Sequence, residues 1–272
     1  MHLILVGSGS GETALLKKLL PSPDIDKVDL LPGRSDMRGN RIHRVPIQER
    51  QVTEMADYAL SHQADLVLVT APEALRCGAA DELNAAGVRC FGAEQEACET
   101  LDGGKWKAFA QRHGIPCADI KSWPNPHAAM RAVRNTQPPF LLWLGEEEPV
   151  CCGDGEQARH CLSAFEQRGP QNQVGFACCA ASERKAFVVT REIALFPGYE
   201  CREAERKIAE QVVLALREEG RFFTGVLTVD FSAEGGDCAV VRCFAGMDEE
   251  SASDALNRAT ERETAAAFLA ES

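Results

Sequence analysis

The sequence predicts an α/β protein: a doubly wound N-terminal domain over residues 1–95, then an α+β region. The apolar run Leu3-Ile4-Leu5-Val6 ends in Gly7, Gly9 and Gly11 and passes into a helical stretch. Such a run reads as a buried parallel strand entering a tight strand-to-helix turn. Short apolar runs then alternate with helical stretches up to Gly92, the signature of a parallel sheet with crossover helices. Beyond residue 123 the strand-like runs no longer alternate regularly with helices.

In chain order, a helix over about Glu12–Leu20 is stopped by Pro21-Ser22-Pro23. Strands follow over Lys27–Leu31, ended by Pro32-Gly33, and over Arg41–Val45. Gln48–His62 has helical spacing, with Met55, Ala59 and Leu60 on one face. Asp65–Thr70 is the clearest central strand, Pro72–Ala86 a helix ended by Gly87, and Val88–Gly92 the next strand. Glu94–Ala110 is helical with a break at Asp102-Gly103-Gly104. His113–Pro116 and Trp123–Pro126 read as turns, and His127–Arg134 as a helix. Phe140–Leu144 is a strand leading into Glu146-Glu147-Glu148, and Glu156–Arg168 a helix. Val174–Cys179 and Ala186–Thr190 are expected to pair as antiparallel strands. Cys201–Glu219 is a long amphipathic helix with Ile208, Val212 and Leu216 inside. Thr224–Phe231 and Cys238–Phe244 are strands joined by a turn over residues 232–237, and the last twenty or so residues are helical.

A chain of 272 residues is long enough for one large or two modest cores. A net charge of −12 argues against nucleic-acid binding, which needs clustered Lys and Arg. No export signal and no bilayer-length apolar run is recognised, so a cytoplasmic protein without membrane contact is expected. The twelve cysteines then read as reduced thiols, mostly small buried apolar residues. No C-x-x-C occurs, and Cys151-Cys152 and Cys178-Cys179 lack metal-ligand spacing, leaving zinc a minor alternative.

The glycine loop is the candidate ligand site. Free N–H groups and the dipole at a helix start suit a phosphate. The dinucleotide fingerprint fails because its last glycine is Glu12, and no Gly-Lys-Ser/Thr of a P-loop follows. A tight turn without a ligand is the alternative. The expected anion site comprises Gly7, Ser8, Gly9, Ser10 and Gly11, with Pro32-Gly33-Arg34 and Thr70–Glu73 converging on it at the C-terminal ends of the strands and Arg34 supplying positive charge. A nucleotide-cofactor domain in which Arg34 meets a 2′-phosphate is a weaker alternative.

Val6-Gly7-Ser8-Gly9 with Glu12, Ala14 and Leu15, then Pro32-Gly33, Asp65–Val69 and Phe91-Gly92, resemble the opening of the phosphoribosylamine–glycine ligase family. Leu101-Asp102-Gly103-Gly104-Lys105 leading into Arg112–Ala118 resembles that family's Leu-Glu-Gly-Ser-Lys, helix, His-Gly-Ile-Pro-Thr-Ala. Phe223–Leu227 resembles its Tyr-Thr-Gly-Phe-Leu. The resemblance covers the first 120 residues well and the rest thinly. It implies a Rossmann-like N-terminal domain followed by a reduced ATP-grasp α+β domain: 1–95 Rossmann-like, 96–122 linker, 123–190 small subdomain, 191–272 shortened core subdomain. It also implies ATP and Mg²⁺ as cofactors, carboxylate–amine ligation through an acyl-phosphate, and a monomer or homodimer. On the motif match, Lys105 becomes a ligand-binding candidate.

The departures concern chemistry. The family's Val-Ile-Lys-Ala-Asp-Gly strand matches Phe140–Leu144, where the lysine position is Trp143 or its neighbour; no lysine lies between Lys121 and Lys185. The Gly-Lys-Gly loop is replaced by Cys151-Cys152-Gly153-Asp154-Gly155. The Mg²⁺-holding Ile-Glu-Phe-Asn strand becomes Val241-Arg242-Cys243-Phe244, leaving Asp230 as the single metal-ligand candidate. The expectation is therefore a degenerate relative without ligase activity, retained for binding a small phosphorylated ligand or nucleotide, or for assembly with a protein partner. The alternative is an active ligase with a phosphoribosylamine-like or other small substrate.

Overall fold

The computed structural model describes residues 1–101, 103–145, 149–177, 182–190, 193–196, 200–232, 238–247 and 251–269. These form two compact units: residues 1–109, 185–228 and 243–272, and residues 110–184 with 229–242. Glu146–Glu148, Cys178-Cys179, Asp102 and most of the expected 232–237 turn lie outside the described residues.

The first unit is built on a five-stranded parallel sheet. Its strands are β1 (His2–Gly7), β2 (Lys27–Pro32), β3 (Ile42–Arg44), β4 (Leu66–Val69) and β5 (Cys90–Phe91), in the order β3-β2-β1-β4-β5. The central position of β1 explains its unbroken apolar run, since both of its faces are covered. On one face Leu3, Leu5, Val28, Leu30, Leu66 and Leu68 pack against α1 (Ser10–Leu19), α10 (Ser251–Arg258) and α11 (Glu261–Leu269). Phe268 of α11 lies between Phe91 and Phe196, tilted on the first and edge-on to the second, with centroids at 5.4 and 5.9 Å. On the other face Tyr58 of α2 (Val52–Ser61) reaches Asp29 of β2. The helix expected over Pro72–Ala86 is two helices, α3 (Pro72–Arg76) and α4 (Ala79–Ala85). Gly78 breaks it with φ +82°, a left-handed conformation that glycine takes without a Cβ clash. The chain continues through α5 (Gln95–Leu101) and α6 (Gly103–Arg112).

The second unit holds a four-stranded antiparallel sheet in the order β6-β9-β7-β8: β6 (Ile120–Trp123), β7 (Phe140–Leu144), β8 (Val150–Cys152) and β9 (Val174–Ala177). Its helices α7 (Pro126–Val133) and α8 (Gly155–Arg168) pack on one face, over Phe140, Leu142, Leu144, Val174 and Phe176. Asn125 caps α7 by accepting from the Ala128 N–H at 2.9 Å, and Asp154 caps α8 by accepting from the Glu156 and Gln157 N–H groups. A third sheet runs β11-β10-β12-β13: β10 (Ser182–Val189), β11 (Ile193–Leu195), β12 (Gly225–Ser232) and β13 (Ala239–Ala245). The amphipathic helix α9 (Glu203–Glu218) buries Ile208, Val212 and Leu216 as its spacing predicts.

The expected hairpin between Val174–Cys179 and Ala186–Thr190 does not form. The first strand, β9, pairs with β6 and β7, and the second, β10, with β11 and β12. Two different cores separate them: Val174 and Phe176 sit with Phe140 and Phe165, while Val188 sits with Leu5 and Phe196.

Candidate functional site

The glycine loop lies at the C-terminal edge of the parallel sheet, where Gly7 is in register with Pro32. Strand pairing therefore places Gly33-Arg34 beside Gly7-Ser8. Gly7 has φ +140°, and a Cβ there would fall 2.7 Å from Cδ of Glu12. The loop is thus wrapped around the Glu12 side chain, which is 4% exposed. Glu12 accepts the Gly9 N–H at 3.0 Å on Oε2 and the Thr70 hydroxyl at 2.8 Å on Oε1. Burial pushes its carboxyl up to about 7, against the pull of the Thr70 and Gly9 hydrogen bonds.

Ser8 donates to Glu49 Oε1 at 3.3 Å, and burial also holds the Glu49 carboxyl above its ordinary value. Ser10 and Gly11 open α1. Arg34 is paired in a two-pronged contact with Asp36, Nε to Oδ1 at 3.1 Å and Nη2 to Oδ2 at 2.9 Å. Lys105, exposed near the start of α6, pairs with Glu99 at 2.6 Å. The structure brings Gly7–Gly11 and Arg34 to one edge of the sheet. It adds two carboxylates there, Glu12 and Glu49, that the sequence reading did not assign to the loop.

In the second unit, Asp230 of β12 is completely buried. Arg184 of β10 approaches it bidentately, Nε to Oδ1 at 2.6 Å and Nη2 to Oδ2 at 3.2 Å. Arg242 of β13 lies 3.5 Å from Oδ2 through its Nε. Both arginine side chains are only 10–13% exposed. A carboxylate in this setting is fully engaged by guanidinium groups. Sequence reasoning missed Arg184; the only local signal is a charged triplet, Glu183-Arg184-Lys185, opening an otherwise apolar strand.

The sheet face away from α7 and α8 carries Leu141, Trp143 and Ala177 with Val241, and Ala118 and Ile120 pack at its margin. Trp143 and Gly175 are cross-strand partners. A Cβ on Gly175 would fall 1.8 Å from Cε2 of Trp143, so the indole occupies the space that a side chain at 175 would fill. The position where the family resemblance expects a lysine therefore belongs to an apolar face. Among the described residues, no cluster of three or more His, Cys, Asp or Glu could hold a metal ion. No described helix is long and apolar enough to cross a membrane.

The family description "Phosphoribosylglycinamide synthetase, N domain" matches residues 1–100. Residues 1–100 are thus similar to that family's N domain. Over 144 residues the chain is 34% identical to the chicken trifunctional purine biosynthetic protein adenosine-3, covering 52% of this chain and 14% of that protein. It is 32% identical over 144 residues to phosphoribosylamine–glycine ligase of Phenylobacterium zucineum, covering 52% of this chain and 34% of the relative. The aligned segment spans about a third or less of these relatives' length. Among solved structures, phosphoribosylamine–glycine ligase of Thermotoga maritima superposes with TM-score 0.65 at 14% identity, over 93% of this chain and 71% of that one. N5-carboxyaminoimidazole ribonucleotide synthetase of the same organism gives 0.63 at 14% identity, over all of this chain and 76% of that one. The chain therefore shares the fold of these structures, and residues 1–100 are similar to the synthetase family's N domain.

Proposed function

We propose that this chain is a phosphoribosylamine–glycine ligase-like ATP-grasp protein without ligase activity, retained to bind a small ligand or a protein partner in the cytoplasm. The observation that carries this reading is Asp230 held between Arg184 and Arg242. Magnesium takes oxygen ligands, often carboxylates, and keeps several waters. Here the one candidate carboxylate is engaged by two cations, which oppose a divalent ion at the same place. Arg242 stands on the strand where the resemblance expects the metal-holding glutamate. Trp143 supports the reading independently, since an indole packed on Gly175 offers no cation to a triphosphate. The residues present do not fit Mg²⁺-ATP, and no phosphoryl-transfer step follows from them.

Isothermal calorimetry of the purified chain with ATP, with and without Mg²⁺, tests this. The expected result is no binding heat at millimolar nucleotide in either condition. Mg²⁺-dependent binding would overturn the proposal and favour an active ligase whose nucleotide site is built from other residues.

A further inference from the structure

The turn between β2 and β3 concentrates positive charge in an acidic chain. From Gly33 to Val45 it carries Arg34, Arg38, Arg41 and Arg44 against a single carboxylate, Asp36, while the whole chain has a net charge of −12. Met37, 3% exposed in the core of the first unit, pins the turn from beneath, its N–H donating to Arg34 O at 3.2 Å. Three guanidiniums are tied to the short segment Gly33–Asp36. Arg34 pairs with Asp36. Arg38 donates from Nε to Ser35 O at 2.9 Å, and Arg44 from Nη2 to Gly33 O at 3.3 Å. Arg41 is used differently, donating to the carbonyls of Ile25 and Leu20. Arg38 and Arg44 are exposed, and among the described residues neither has a carboxylate within 4.0 Å. Each therefore keeps most of a guanidinium's five N–H donors, on a side chain already held in place.

We propose that this turn is a docking surface for an acidic segment of a protein partner, with Arg38 and Arg44 each taking a carboxylate of that segment. Charge complementarity sets the partner's sign, and the planar fork of a guanidinium matches a carboxylate in two parallel hydrogen bonds. A side chain already anchored to the backbone loses less freedom on binding than one that is not. Exposure argues for a macromolecule: a small ligand needs a concave site that covers most of its surface, whereas Arg34 is 46% exposed and Arg38 and Arg44 are exposed with it. Net charge argues against nucleic acid, whose phosphates the rest of the chain repels. β3 is the edge strand of its sheet, so an extended segment can lie alongside it. The inference stands apart from the loss of ligase activity, since neither Asp230 nor Trp143 takes part in it.

Fluorescence anisotropy of a fluorescein-labelled hexaglutamate peptide, titrated with the full chain at physiological salt, tests this. The screening length of about 8 Å hides the chain's overall negative charge from the peptide and leaves direct contacts. The expected result is saturable binding that weakens about tenfold in the double variant Arg38→Ala with Arg44→Ala. Both side chains are exposed, so the fold should survive, checked by the urea midpoint. Arg38→Gln with Arg44→Gln, which keeps a hydrogen-bonding side chain but no charge, is the second variant and should show the same loss. Lys207→Ala, which removes an exposed cation from α9, should bind as the wild type does. Absence of saturable binding to the wild type would overturn the proposal. So would an equal loss in Lys207→Ala, which would mean diffuse attraction only. Tighter binding of inorganic tripolyphosphate, a DNA oligonucleotide or phosphatidylserine vesicles than of the peptide would overturn it in favour of a small anion, a nucleic acid or a membrane.

Discussion

The parallel sheet of the first unit and the small antiparallel sheet of the second use similar material to different effect. In the first, β4 and β1 beyond His2 are buried between helices, and the glycine loop at their edge falls within the residues, 1–100, that match the synthetase N domain. In the second, β7 is equally buried, and the counterpart to a binding loop is an apolar surface around Trp143. Trp143 stands in the strand where the resemblance expects a lysine, at Trp143 or its neighbour, and Arg184 and Arg242 pair with Asp230. Fold depends on the alternation of apolar residues, which substitutions within a size class preserve. Chemistry depends on a few polar atoms at fixed places, and a single exchange removes it.

If Asp230 now serves structure alone, its loss should be the largest effect in the chain. Asp230→Ala leaves Arg184 and Arg242 nearly buried without their carboxylate, and removing one partner of a buried pair costs about 3–5 kcal/mol. Urea denaturation should show that loss, and replacing all three residues by apolar ones should recover most of it. A cost below about 1 kcal/mol would mean that the cluster is not a structural substitute for a metal site. Trp143 sharpens the same contrast. Trp143→Ala uncovers the Gly175 backbone and empties the centre of an apolar face, with an expected loss of about 3 kcal/mol in the same assay. A variant as stable as the wild type would show that the indole is not part of the packing.

How much could be read in advance differs between these regions for a physical reason. The strands over Leu66–Val69 and Phe140–Leu144 were legible as uninterrupted apolar runs, and those over Lys27–Pro32 and Gly225–Ser232 because apolar residues dominate them around Asp29, Thr228 and Asp230. The strands β6 and β8 were not: Ile120-Lys121-Ser122-Trp123 and Val150-Cys151-Cys152 are short edge strands flanked by turn residues, and only pairing with β9 and β7 defines them. The site follows the same division. The glycine loop announces itself, but Glu12 looked like a failed fingerprint position. Thr70 was expected at the same crevice, but its hydrogen bond to Glu12, 58 residues back along the chain, was not, nor was that of Arg184 to Asp230 across 46 residues. Contacts at such separations leave no local pattern.

The loop itself gives a smaller effect, with a sign that distinguishes a structural carboxylate from a ligand site. Glu12 is buried, with its carboxyl raised from 4.5 to about 7. Between those values the folded chain holds a proton that the unfolded chain has released. Stability from this group is therefore complete below about pH 4.5 and lost as pH rises through about 7. The loss approaches about 3.5 kcal/mol at most, at about 1.4 kcal/mol per pKa unit. Glu12→Gln cannot ionise, and it can still accept the Gly9 N–H through its carbonyl while its NH₂ donates to the Thr70 hydroxyl. The variant should match the wild type near pH 5 and exceed it near pH 8, measured as the difference between the two proteins' urea midpoints at each pH. Equal midpoints at pH 8 would mean that the loop pays no penalty for the charge, and the two hydrogen bonds would then be holding an ionised carboxylate as comfortably as they would hold a bound anion.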